Sequence, residues 1–301
     1  MKVPEIKLWA NDLGQGGELT REFLIADVFT GTPLEGNQLG IFPDGRGLPA
    51  ELMQSATREM NFSETVFFLP PDDPDKADAH VRIFTPGKEL PFAGHPTLGS
   101  AWVLGEVLGK DTVTLQCGVG LVPVALERDA ASGQITFGRM SQPIPGIGAY
   151  DRVPELLAAL GLQPYGLPVE VYDNGPLHVY AEAPSVAALA AVAPDMQALA
   201  RLEAGVGVFA EAGGHWAYRN FVPHAGVPED PATGSAAGPL AVHLARHGRI
   251  AFGEEIEIRQ GAQVKRPSVL YARAEGSPEQ VTHVFVGGRS VIVASGEYRL
   301  G

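Results

Sequence analysis

One stretch of the chain gathers the groups that chemistry needs: Val222-Pro-His-Ala-Gly-Val-Pro-Glu229-Asp230-Pro-Ala-Thr-Gly234-Ser235-Ala-Ala-Gly238. It is polar and rich in turn residues. An apolar run with helical character follows directly and stops at Gly248. That order reads as a loop delivering two carboxylates, Glu229 and Asp230, to the start of a helix. The N–H groups at a helix start are unpaired and the dipole there is positive, so the place suits an anion. A carboxylate-bearing substrate, with Asp230 or Glu229 beside it, would fit. The plainer reading is an N-capped helix, because Asp, Thr and Ser are ordinary capping residues.

A second copy of the pattern favours chemistry. Arg82-Ile-Phe84-Thr-Pro86 has the form R-x-F-x-P, and Arg219-Asn-Phe221-Val-Pro223 repeats it 137 positions later (219 − 82). Each copy leads into a glycine-containing turn and then a helix-like run. In the first copy the turn is Glu89-Leu-Pro-Phe-Ala93-Gly94-His95-Pro96-Thr97, with Pro96 expected at the first helical position, where proline is accepted. From Arg to the helix-start glycine the spacing is 12 positions to Gly94 and 15 to Gly234. The pattern is therefore a diverged duplication, not a short-period solenoid. Two halves that each present a helix start suggest one shared site.

The elements that must hold these groups are mostly strands. Alternation and turn signals predict strands over 22–29, 36–42, 64–69 and 80–84, with a helix over 48–60. A meander is expected over 112–137. Residues 141–151, rich in Pro, Gly and Ser, read as a linker. The second half reads as a helix near 153–161, strands at 168–172 and 178–182, and a long alanine-rich helical region over 185–202. Strands at 205–210 and 216–221 precede the central loop and helix, and further strands follow from 254 to 294. Ala101–Leu108 and Leu240–Leu244 are apolar nearly all round, as helices wrapped by a sheet would be. The expected organisation is an N-terminal extension over 1–19, a first domain over 20–140 and a second over 150–286. The last strand, within 287–301, is expected to return to the first domain.

Bulk composition narrows the classes. The 301 residues carry a net charge of 22 − 35 = −13, which argues against nucleic acid or an anionic membrane as partner. The single cysteine, Cys117, excludes an intrachain disulfide framework and a zinc cluster of cysteines. The first residues lack the apolar core of a signal peptide, and no apolar run approaches about 18 residues, so a cytoplasmic enzyme is the expectation.

Assembled in order, these residues resemble the phenazine-biosynthesis PhzF-like family, which has the diaminopimelate epimerase fold. The pieces that carry the resemblance are Asp27-Val-Phe29 with Gly36-Asn37, Phe62-Ser63-Glu64-Thr65-Val-Phe, Arg82-Ile-Phe84-Thr-Pro86 and Phe92-Ala-Gly-His95-Pro-Thr97. In the second half they are Arg219-Asn-Phe221 and Glu229-Asp230-Pro-Ala-Thr-Gly-Ser235-Ala236. Gly-His-Pro-Thr and Asp-Pro-x-Thr-Gly-Ser-Ala together, at this separation, are specific. The resemblance implies an α+β fold of two pseudo-symmetric domains, each a curved, mostly antiparallel sheet around a central helix. It also implies a cofactor-free isomerase without metal, usually homodimeric, that shifts a proton on a small amino- or hydroxy-carboxylate. Its best-known member acts on a dihydro-hydroxyanthranilate. Carried over by motif, Glu64 is the general acid/base, with His95 and Asp230 as further catalytic residues. Gly94, His95, Asp230, Gly234 and Ser235 would bind substrate. The epimerase relatives use two cysteines, and the matching positions here hold Ala93 and Asp230, so two-thiol racemisation is excluded.

The residues around Glu64 suit this role. A carboxylate becomes a better base where apolar burial penalises its charge, and Phe62 and Val66-Phe67-Phe68 flank it. Two other readings stand beside the isomerase: a hydrolase using Ser63 or Ser235 with His95, and a non-catalytic small-acid binder. His243-x-x-x-His247 has zincin-like spacing, but Leu244 replaces the glutamate and no third ligand is evident in the sequence. Gly118-Val-Gly120 lacks the rest of a nucleotide loop, and Gly234-Ser-Ala-Ala-Gly238 is not a nucleophile elbow.

Overall fold

Turn chemistry sets the first strands. The structure, a computed structural model, describes residues 8–9 and 19–301, so most of the expected extension over 1–19 lies outside the described residues. Strand β1 (Thr20–Val28) pairs antiparallel with β2 (Asn37–Phe42). Between them Gly36 has φ +68°, and a Cβ there would stand 2.4 Å from the Val28 carbonyl oxygen. Only glycine fits, and it places Asn37 at the head of β2. Helix α1 (Ala50–Met60) carries the chain over to β3 (Glu64–Leu69), which lies parallel to β2. Strand β4 (Ala79–Phe84) follows antiparallel, then the two-residue β5 (Glu89–Leu90).

Helix α2 (Gly94–Leu108) leads to β6 (Thr112–Cys117), parallel to β4, and on to the antiparallel β7 (Gly120–Arg128) and β8 (Ile135–Gln142). The final strand of the chain, Ser290–Arg299, returns to pair antiparallel with β1. These elements make one compact unit, whose described residues are 8–9, 19–140 and 288–301. Its sheet curves around α2, whose residues 94–105 are all buried. Close approach explains the small residues on this helix: a Cβ on Gly99 would meet the Leu39 side chain at 2.6 Å.

The second unit spans residues 141–287. It holds β9 (Gly146–Ala149), α3 (Val153–Leu160), β10 (Glu170–Asp173), β11 (Leu177–Glu182), α4 (Val186–Ala191) and α5 (Met196–Ala200). Then come β12 (Gly205–Glu211), β13 (Trp216–Val222), a short 3₁₀ turn (Pro223–Ala225), β14 (Val227–Asp230) and α6 (Gly234–Arg246). It closes with β15 (Glu255–Gln260), β16 (Ser268–Gly276) and β17 (Val281–Gly288); the chain's last strand is β18.

Each unit has the same ladder. In the first the order is β18-β1-β2-β3-β4-β6-β7-β8, with β2–β3 and β4–β6 parallel and the other pairs antiparallel. In the second it is β9-β10-β11-β12-β13-β15-β16-β17, with β11–β12 and β13–β15 parallel. Helix α6, buried from Gly234 to Ala245, takes the place of α2. The R-x-F-x-P motifs end β4 and β13, each before the ribbon and buried helix of its unit.

Two sequence expectations change. The alanine-rich region is two short helices, because Pro194 removes a backbone donor and Asp195 caps a new start at Gln197 and Ala198. Residues 141–151 are not a free linker: β8 runs through Gln142, and Gly146–Ala149 pair with β10.

Candidate active site

In the first unit the parallel β2–β3 ladder aligns Glu64 with Leu39 and points both toward the start of α2. Glu64 Oε2 lies 3.5 Å from His95 Nδ1, with the Glu64 side chain only 14 % exposed. The strand behind it is fully buried at Val66, Phe67 and Phe68. His95, the second residue of α2, is buried. Its Nδ1 lies 3.2 Å from Asn37 Nδ2 and its Nε2 lies 3.3 Å from the Gln38 carbonyl oxygen. Asn37 Nδ2 can only donate and the carbonyl can only accept, so the proton belongs on Nε2. Burial pushes His95 down to about 3, against the bond to Gln38, which favours the charged form. The ring is therefore neutral, and its Nδ1 faces both the Asn37 amide and the Glu64 carboxyl. Gly94 precedes it as the first residue of α2, also buried.

The second unit gathers the other sequence-derived residues. Asp230 ends β14, opposite Asn220 of β13, and is buried. Thr233 Oγ1 donates to Asp230 Oδ2 at 2.6 Å. Gln260 Nε2 donates to the Asp230 carbonyl at 2.7 Å, and Gln260 Oε1 accepts from the Thr233 N–H at 2.9 Å. Gly234 and Ser235 are the buried first residues of α6. Pro239 removes the donor that Ser235's carbonyl would otherwise receive, and Asn174 Nδ2 supplies one at 2.8 Å. Gln142 Nε2 holds the Gly234 carbonyl at 2.8 Å.

The capping alternative fails at both helices. Ala93 precedes α2 and Thr233 precedes α6, and neither gives a side-chain cap bond. Glu229, the other carboxylate of the central loop, is committed elsewhere: both its oxygens accept from Arg219, at 2.9 and 2.7 Å. Arg82 binds Glu89 in the same fork, at 2.7 Å twice. Each guanidinium also lies over the phenylalanine of its own motif, at 5.1 Å from the Phe84 centroid and 4.9 Å from that of Phe221. The repeat thus encodes a bracket that fastens a two- to four-residue strand just before the helix start.

Sequence reasoning missed Asn37's bond to His95, and missed Asn174, Thr233 and Gln260. Gly36-Asn37 carried a signal as a motif, but its partner is visible only in three dimensions. The structure also brings Glu170 to His243 and His247, the third group that the sequence did not show. Tyr172 Oη, Arg246 Nη1 and His247 Nε2 all donate to Glu170 Oε2, at 2.8, 2.8 and 2.9 Å. Burial raises the Glu170 pKa, but the bonds from His247 and Tyr172 and the Arg246 charge outweigh it and hold the carboxyl down at about 2. The Arg246 cation stands where a metal's charge would act, and the cluster ties the end of α6 to β10.

Comparison with known proteins adds identity. A family model described as phenazine biosynthesis-like protein matches residues 26–296. The trans-2,3-dihydro-3-hydroxyanthranilate isomerase of Pseudomonas aeruginosa is 50 % identical over 275 residues, covering 91 % of this chain and 98 % of that protein. The solved structure of a predicted epimerase from Pseudomonas aeruginosa is similar at a TM-score of 0.78 and 33 % identity, over 92 % of this chain and 99 % of that one. A probable proline racemase from Agrobacterium radiobacter K84 shares the fold alone, with a TM-score of 0.65 and 14 % identity over 92 % of each chain. The α+β, epimerase-like architecture read from the sequence is therefore correct.

Proposed function

Since the chain belongs to the phenazine biosynthesis-like protein family and is an isomerase, we propose that it shifts a proton between carbons of a small amino- or hydroxy-carboxylate, without a cofactor. The substrate we favour is trans-2,3-dihydro-3-hydroxyanthranilate or a close analogue, the compound in the name of the relative that is 50 % identical. The hydrolase and binder readings give way to the isomerase.

The observation that carries the mechanism is the Glu64–His95–Asn37 arrangement. In the proposed reaction the Glu64 carboxylate takes a proton from one carbon as the adjacent π electrons move, and returns it to another carbon. No redox change or leaving group is needed. Neutral His95, oriented by Asn37 and Gln38, presents its unprotonated Nδ1 toward the carboxyl, where it can accept a hydrogen bond once Glu64 has taken the proton. In the first unit the N–H groups of Gly94-His95, and in the second those of Gly234-Ser235, are each of the kind that suits a carboxylate. Asp230, buried and held by Thr233, is suited to its amino group.

Glu64→Gln keeps size and polarity but cannot cycle a proton. Turnover of the dihydro-hydroxyanthranilate should fall by about 10²–10⁴-fold, the usual range for a lost acid/base, while ligand affinity stays close to native. Asp230→Asn should weaken affinity as well as rate. In D₂O the native enzyme should place deuterium at the new C–H position. Near-native turnover by Glu64→Gln would refute the role given to Glu64.

A further inference from the structure

The duplication gives a residue-by-residue equivalence that reaches beyond the motifs. Phe84 pairs with Thr65 across β3–β4, and Phe221 pairs with Val206 across β12–β13. One residue back, Glu64 and Gly205 hold the same place. Their partners across the parallel ladder are Leu39 and His178. The first unit sets a carboxylate beside a leucine, whereas the second sets a glycine beside a histidine. A Cβ built on Gly205 would lie 2.8 Å from His178 Nδ1. The imidazole thus fills the space that the Glu64 side chain has in the first unit.

His178 is 3 % exposed, and among the described residues neither ring nitrogen meets a hydrogen-bond partner. Burying an imidazole this way costs stability, and the equivalent Leu39 shows that the fold accepts an apolar residue there. The ring's direction follows from its strand. Two residues on and on the same face, Tyr180 Oη donates to the Ala236 carbonyl of α6. Two further on, Glu182 accepts from Arg249, beyond the end of α6. Strand β11 therefore runs from the front of α6 toward its end, and His178 falls ahead of the helix start. There Asn174 holds the Ser235 carbonyl and leaves its own Oδ1 buried without a partner among the described residues.

We propose that His178 is a further substrate-contacting residue, whose imidazole hydrogen-bonds an uncharged hydroxyl or amino group of a carboxylate held at the start of α6. The assignment rests on the isomerase reading above. Burial, with the charge of His224 adding to it, holds His178 down to about 3, so the ring offers one donor and one acceptor. Asn174 Oδ1 adds an acceptor.

The test compares His178→Leu and His178→Gln with the native enzyme on trans-2,3-dihydro-3-hydroxyanthranilate. His178→Leu copies the residue at the equivalent place in the first unit and removes an unpartnered polar group. It should leave Tm unchanged or raised, yet raise KM about tenfold, the factor that one hydrogen bond between neutral groups carries. His178→Gln should recover part of that loss. A KM within twofold of native in His178→Leu would overturn the proposal. A second readout needs no turnover: in ¹⁵N-histidine spectra of the native protein, the His178 ring nitrogens should shift when anthranilate is added to saturation. Unmoved resonances would overturn it even if the Leu variant failed to fold. Absence of native turnover would instead count against the substrate reading, leaving the spectrum to decide the role of His178.

Discussion

Three histidines share one physical condition. Burial lowers His95 and His178 to about 3 and His243 to about 4, from an ordinary 6.5. In the unfolded chain each takes up a proton near its ordinary value; in the folded chain each refuses it until far lower pH. Between those values the unfolded state binds more protons, so stability rises with pH there. The contribution is complete above pH 6.5 and is lost as pH falls toward 3–4. Thermal melts from pH 7.5 down to pH 4.5 should show Tm falling, and the fall should be shallower in His178→Leu than in the native protein. Equal slopes would contradict the buried, neutral state given to His178.

The elements show why two copies of one motif need not be equally strong. Arg219 and Glu229 have side chains 7 % and 10 % exposed, whereas Arg82 and Glu89 are at 23 % and 42 %. Arg219 also donates to the Leu189 and Val192 carbonyls at the end of α4, so it ties two elements to the ribbon. Removing one partner of a buried pair leaves an uncompensated charge and costs about 3–5 kcal/mol. A more exposed pair is worth about 0–1 kcal/mol. Urea unfolding should therefore place Arg219→Met several kcal/mol below native and Arg82→Met within about 1 kcal/mol. Equal losses would show that solvent does not screen the first bracket. The motif itself was legible in the sequence, since arginine, phenylalanine and proline recur at fixed spacing. Its glutamates were not: Glu89 and Glu229 lie at unequal distances along the two loops, 7 and 10 residues from their arginines. Glu229 accordingly read as a site carboxylate until its partner was seen. His178 was silent for a related reason, because only strand register shows which residue stands opposite Gly205.

At the scale of the molecule, the repeat and two helices apolar on every side pointed to two strand-rich halves, and the family resemblance supplied the fold class. Pro194 was in plain view, yet the alanine content around it outweighed one breaker in a composition-based reading. The closure of the first unit depends on β18. Tyr298 meets Phe23 and Phe42 edge-on, at centroid distances of 5.7 and 5.6 Å, within the cluster that also holds Met53, Phe67 and Phe84. A chain ended after Gly288 would leave β1 with an open edge and those rings uncovered. Limited proteolysis of that variant should degrade residues 19–140 while a fragment of roughly 141–287 survives. Survival of both parts would mean that β18 is dispensable.

The same strand sets a clock on the ribosome. Ser290 Oγ donates to the Asp27 carbonyl across 263 positions of chain. At about 5–20 residues per second, synthesis needs roughly 15–50 s to cover that gap. The second unit completes its ladder from contiguous sequence as soon as β17 (Val281–Gly288) is made, whereas the first, begun far earlier, must wait the whole interval for β18. The earlier-made half is therefore the later-finished one, and the nascent chain must keep the β1 edge from foreign strands until its own partner emerges.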